Sequence, residues 1–243
     1  MSELDRILGK VHAGGEGEGT HWLSISDLMA GLMMVFLFIA IALMLNAFRE
    51  RDKIKEVAVA YQQNQVAIYD ALMAEFGKDL DRWDADIDKD TLAFEFQSPD
   101  VLFETAKTDI RPRFREILKD FFPRYMRTLR AFQDSINEVR VEGHTSSEWN
   151  GWVSATEAYF LNMALSQGRT RSVLSYVYYL PEVAADRPWI KKAFAAVGFS
   201  SALIKTKIGN DGSKVEDADR SRRVTFRVIT NAETQIRRIL VEE

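Results

Sequence analysis

The sequence predicts an α+β protein: one N-terminal transmembrane helix, a helical linker, and a C-terminal α/β sandwich with one mixed sheet backed by helices. Three observations predict it. Residues 25–45 form an almost wholly apolar run in which Asp27 is the single charge. Ile54, Val57, Tyr61, Ile68 and Leu72 then recur at helical spacing through polar surroundings. Beyond residue 90, alternating stretches interleave with helix-period stretches, the pattern of a sheet packed by helices. The expected divisions are 1–22 for an N-terminal arm, 23–46 for the membrane helix, 47–90 for the linker and 91–243 for the sandwich.

Composition narrows the function. Among 243 residues, a formal net charge of -4 argues against a nucleic-acid partner, which calls for excess basic charge. With no cysteine there is no disulfide, thiolate metal site or cysteine nucleophile. The 3 histidines, His12, His21 and His144, lack metal-ligand spacing. Paired acids and nucleophile constellations are not apparent, so neither an enzyme, nor a metal site, nor a cofactor is expected.

The apolar run is long enough to cross a bilayer: about 21 residues at 1.5 Å rise span roughly 31 Å. Trp22 precedes it at the place of an interfacial anchor, and Arg49, Arg51 and Lys53 close it. Glu16 and Glu18 before the run, and the lack of a small-residue cleavage site after it, favour a retained anchor over a cleaved leader. Gly14–Gly19 lacks the Lys-Ser/Thr ending of a phosphate loop and reads as a flexible lead-in. The basic residues before the span, Arg6 and Lys10, are fewer than those just after it, which by itself places the C-terminus in the cytoplasm.

Asp27 has two readings. A carboxylate in a spanning helix costs about 2.5–3.5 kcal/mol at mid-bilayer, less near an end. In one reading Ser24 is a helix N-cap and Asp27 the acid at the third helical position, where the dipole favours it. In the other it works: on a 3.6 period Asp27 shares a face with Ala30, Gly31, Met34 and Phe38, where small residues admit a second helix. An acid held there, away from bulk water, can take up and release a proton as its surroundings open and close.

Asn46 to Phe76 reads as a helix that either pairs with a copy of itself or lies on the following domain. The run Lys78–Asp90 is acidic and reads as a solvated connection, with no turn glycine or closing Glu to make a calcium loop. Leu92, Phe94 and Phe96 give a strand. Pro112 opens a helix to about Phe132, which Pro123 is expected to kink or split. Glu138–Gly143 is a second strand, and Glu157–Leu180 a second long helix ending before Pro181. A further strand is expected within Gly198–Ile208, turn chemistry at Gly209–Gly212, and a last strand over Arg223–Ile229.

Motifs then point to families. Trp22, four intervening residues, Asp27 and a Met-rich apolar helix resemble the opening of MotB-type stator subunits, in which the aspartate carries the ion of a motor driven by the ion-motive force. Phe103–Pro112, Val139–Thr145 with its Gly-His-Thr turn, Asn162–Val173 and Ser221–Val224 resemble, in order, the OmpA-like peptidoglycan-binding domain. The sandwich is thus expected to be OmpA-like. The short arm, the Trp-to-Asp spacing and the Ser after Gly-His-Thr are most similar to the B subunits of Zorya anti-phage systems, with flagellar MotB or a passive wall tether as alternatives.

The resemblance implies peptidoglycan, a homodimer and multi-span MotA/ZorA-like ring subunits as partners, five of them to two copies of this chain. It implies an inner-membrane, single-pass protein with a cytoplasmic N-terminus and a periplasmic domain, against the charge bias noted above. Asp27 is then the carrier of a proton or sodium ion. Asn162, Leu165 and Arg169 are the peptidoglycan-binding positions: the guanidinium suits a stem-peptide carboxylate, the amide its peptide groups, and Leu165 supports the groove. The family commonly has Asp after Gly-His-Thr, to pair with the stem-peptide amine. Ser146 stands there and brings no charge, though Glu148 lies close enough in sequence to supply it. His144 reads as a turn-stabilising residue.

Overall fold

The computed structural model describes residues 18–97, 99–149, 151–209 and 211–231, and the chain divides into two units, up to Glu56 and from Val57. One helix, α1 (Glu18–Phe76), runs through the membrane-span sequence and on into the linker as far as Phe76 without a break. Neither stretch contains a proline, and its two glycines are confined to Gly19 and Gly31, so no residue forces an interruption. Ser26–Glu56 is long and apolar enough to cross a membrane, with a mean hydropathy of 2.8, and none of it is buried.

In the second unit the far end of α1 belongs to the core. Ile68, Leu72 and Phe76 are fully buried, so this part of the linker lies on its own domain. Ile54 is exposed, and the side chains of Val57 and Tyr61 lie outside the described residues. Phe76 packs edge-on to Phe94 and against Phe121. Arg124 fixes the junction: it donates to Glu75 Oε1 at 2.7 Å, the Glu75 carbonyl at 2.8 Å and Asp79 Oδ2 at 2.9 Å, with its guanidinium 4.8 Å from the Phe76 ring.

The sandwich is the expected one. Strands β1 (Ala85–Asp88), β2 (Ala93–Phe96), β3 (Ile136–His144), β4 (Phe194–Ser200) and β7 (Arg223–Thr230) form one sheet in the order β1-β2-β7-β3-β4. Only β3–β4 is parallel, so the sheet is mixed. A separate hairpin joins β5 (Thr206–Ile208) to β6 (Lys214–Glu216). Its turn uses the glycines: Gly212 has φ +79°, and its N–H donates to the Gly209 carbonyl. Alternation places Phe94, Phe96, Val139, Val141, Val224, Phe226 and Val228 in the core, against helices α2 (Pro112–Arg130) and α3 (Ala155–Tyr178). The opposite face carries Glu95, Arg140, Glu142, His144, Thr225 and Arg227, residues that interact laterally, as Arg227 does with Glu142 at 3.3 Å.

Four expectations are corrected. Ser24 lies six residues beyond the start of α1, so it is not an N-cap and Asp27 is not in the first turn. Pro123 does not split α2, which continues to Arg130. Eight buried residues, among them Phe114, Phe121, Phe122 and Tyr125, hold the helix on the sheet. At about 1.5–3 kcal/mol per large buried side chain, that outweighs the roughly 3 kcal/mol cost of an interior proline. The acidic Lys78–Asp90 run is structured: Leu80–Trp83 makes a helical turn, and β1 is an edge strand whose Ile87 is buried along with Trp83. Finally, the strand expected within Gly198–Ile208 is two pieces: β4 starts earlier, at Phe194, and β5 belongs to the hairpin.

Candidate functional site

Glycine brings α3 close to the sheet. A Cβ on Gly198 would lie 2.5 Å from the Gln167 amide nitrogen and 2.6 Å from Ser166 Oγ. A Cβ on Gly143 would lie 2.8 Å from the Ser166 carbonyl. With both absent, Ser166 Oγ accepts from the Ser200 N–H at 3.1 Å, and α3 is locked over β3 and β4. This sets Asn162, Leu165 and Arg169, which share one helical face at spacings of three and four, over the loop that follows β3.

That face closes a groove of about 400 Å³ lined by Phe103, Thr105, Ala106, Thr145, Ser146, Glu148, Trp149, Asn162, Leu165, Arg169 and Arg222. All five positions chosen from the sequence for wall binding meet in it. Asn162 Nδ2 donates to the Ser146 and Glu148 carbonyls, each at 3.2 Å. Its amide hydrogens thus hold the loop, and its Oδ1 has no hydrogen bond among the described residues. Ser146 is buried and Glu148 is exposed, with no ion pair to its carboxylate among the described residues. Glu216 of β6 accepts from both the N–H and Oγ of Ser147, so the hairpin braces the same loop.

Arg169 is half-buried and pinned by backbone. Its Nε donates to the Lys107 carbonyl at 2.9 Å and its Nη2 to the Glu104 carbonyl at 3.1 Å, while the guanidinium stacks 4.9 Å from the Phe103 ring. Gly168 permits the approach, since a Cβ there would lie 2.6 Å from Thr108 Cγ2. Among the described residues no carboxylate pairs with the group. Burial, and then the like charge of Arg222, bring its pKa down to about 10. The groove therefore suits an anion.

Sequence reasoning missed Arg222 and Trp149 as groove residues. Arg222 was visible only as part of a closing strand motif, and nothing local shows that this strand begins at the groove. His144 sits outside the groove lining, buried on the sheet's opposite face. It stacks on Phe199 at 5.2 Å, and its Nε2 is 3.5 Å from Glu142 Oε2. Burial lowers its pKa.

In the first unit, Asp27 lies within the helix, more than two turns from Glu18, and is exposed along with Ala30, Gly31, Met34 and Phe38. A Cβ on Gly31 would meet nothing within 4 Å.

No family model matches the chain. In solved structures, the cell wall anchor of the T6SS from Pseudomonas aeruginosa is 21% identical, covering 65% of this chain and 96% of its own at a TM-score of 0.44. A putative MotB like protein from Desulfovibrio vulgaris is 16% identical, covering 74% and 98%, with a TM-score of 0.41. The Zorya protein ZorB of Escherichia coli is 55% identical over 240 residues, 98% of this chain and 100% of that protein. At that identity over both full lengths, the chain belongs to the ZorB family of Zorya proteins.

Proposed function

We propose that the chain is the B subunit of an ion-driven, stator-like motor of the inner membrane, acting in Zorya anti-phage defence. It crosses the membrane once, with its N-terminus in the cytoplasm. Its C-terminal domain grips peptidoglycan in the periplasm through Asn162, Leu165 and Arg169. Two copies sit within a ring of five multi-span ZorA-like subunits, and each Asp27 relays protons or sodium ions as the ring moves past.

The observation that carries this is the place of Asp27. It is the single charged residue between Glu18 and Arg49, and it lies inside a helix where it caps nothing. A carboxylate in hydrocarbon costs about 2.5–3.5 kcal/mol, so an ion or a partner subunit must offset it. Ala30 and Gly31 on the same face leave room for that partner. The domain supplies the other half, since an uncompensated guanidinium in a groove suits the free carboxylates of a wall stem peptide.

The test is Asp27→Asn in cells that carry the whole system. It is expected to abolish protection and ion flux while the chain still co-purifies with its ring subunit. Undiminished protection or flux sinks the relay. Failure of the wild-type chain to form a complex larger than a dimer with the multi-span partner sinks the motor.

A further inference from the structure

The groove's charges are lopsided. Two guanidinium groups, Arg169 and Arg222, line it against one carboxylate, Glu148, which is exposed. Ser146 is buried and neutral, and Thr145 Oγ1 beside it is buried with no hydrogen-bond partner. Arg169 is held by carbonyl oxygens alone, and its Nη1 donates to nothing among the described residues. Arg222 has one acidic contact, Asp219, whose side chain is largely exposed, and only through Nη2. Its Nε and Nη1 make no hydrogen bond among the described residues. Each arginine thus keeps planar donors free, and each feels the other's charge. The arrangement is relieved by anions, and two guanidiniums match two carboxylates. By contrast, no buried acid in the lining would select an ammonium group.

Resting on the wall-binding reading above, we infer that the groove recognises the dicarboxylate end of a stem peptide through Arg169 and Arg222 together, and does not read the amine beside those carboxylates. Stems whose amine is already acylated in a cross-link then bind as well as free ones. Ser146 is the position that sets this tolerance. A neutral hydroxyl stands where an acid would make the ammonium a requirement, and Glu148, exposed to water, contributes little because solvent screens it.

The experiment measures binding to the full-length chain in detergent micelles by the fluorescence of its tryptophans, Trp149 being in the groove. Three synthetic probes are compared: the tripeptide N-acetyl-L-alanyl-γ-D-glutamyl-meso-diaminopimelate, the same peptide also acetylated on the remaining diaminopimelate amine, and the first peptide with one diaminopimelate carboxylate amidated. The first two are expected to bind within about twofold of each other and the third at least tenfold more weakly, the loss typical of a charged hydrogen-bonded pair. Arg222→Gln should bring the unmodified tripeptide down to the level of the amidated one. Ser146→Asp should create a preference of about tenfold for the free amine. A tenfold loss on acetylation in the wild type, or indifference to amidation, overturns the inference and leaves wall binding standing. If none of the three binds, or if Arg169→Ala binds them all like the wild type, the wall-binding groove itself falls.

Discussion

Gly198→Ala tests the contact on which the groove is built. The new methyl group would sit 2.5 Å from the Gln167 amide nitrogen and 2.6 Å from Ser166 Oγ. Ordinary contact needs about 3.4–4 Å, so α3 and β4 must separate by about 1 Å. The nearest obstacle is backbone inside a helix and cannot rotate away. The cost is therefore expected at the upper end of the overpacking range, about 3 kcal/mol. At about 2–4 °C per kcal/mol for a domain of this size, the melting temperature of the second unit should fall by about 6–12 °C. The Ser200 N–H bond to Ser166 Oγ would be lost with it, and Asn162 and Arg169 would shift relative to the loop after β3. The assay is thermal unfolding of the full-length chain in detergent, followed by near-ultraviolet circular dichroism. Gly31→Ala serves as control, because its Cβ meets nothing within 4 Å and the melt should be unchanged. A Gly198→Ala melt within about 1 °C of wild type would refute the role of this close packing in positioning the site.

Other substitutions probe neighbouring parts of the fold. Arg124→Ala removes charged hydrogen bonds to Glu75 and Asp79 from a side chain only 22% exposed, and should cost about 2 kcal/mol in denaturant unfolding. Replacing Pro123 with Ala restores a helical N–H to α2 and should raise the melting temperature, by about 1–3 kcal/mol of stability. His144 makes stability depend on pH: burial holds the folded imidazole below its ordinary 6.5, so between those values the unfolded chain binds more protons. Stability is then full above pH 6.5 and falls as pH drops through that value, and His144→Gln should flatten the melting temperature between pH 7 and 5.

Where one face of an element was uniformly apolar, its place in the fold could be read from the sequence. The alternation of Phe94 and Phe96, and of Val224, Phe226 and Val228, is the sheet's buried face itself. β1 could not be found that way. In Ala85–Asp88 a single residue, Ile87, is buried and Ala85 is half-buried, because an edge strand can leave its aspartates in water. β4 was hidden for a different reason. Its small residues, Ala195, Ala196 and Gly198, make room for α3, and their absence of bulk removes the pattern that marks a strand. Pro123 shows the limit of local propensity: the rule that breaks an isolated helix is overridden by eight buried contacts that only the tertiary fold supplies.

The groove divides along the same line. Asn162, Leu165 and Arg169 lie on one helix face, so their convergence follows from spacing alone. Their partners come from residues 103–106, 145–149 and 222, and only the sheet order brings these together, by placing β7 between β2 and β3. That placement also changes what the residues do. Asn162 reads as a ligand donor in one dimension, yet its amide hydrogens are committed to the Ser146 and Glu148 carbonyls. Arg169 reads as one carboxylate fork, yet carbonyls occupy its Nε and Nη2, and a second arginine shares its charge environment. On the proposed reading, recognition therefore passes from a single Asn–Arg pair to two guanidiniums that face a braced loop. It follows that loosening the brace should weaken ligand binding without touching a groove residue: Glu216→Gln weakens the hold on Ser147 and is expected to lower affinity for the unmodified tripeptide by about three- to tenfold, while the melt stays within about 2 °C. An unchanged affinity would mean that the loop holds its shape without the hairpin.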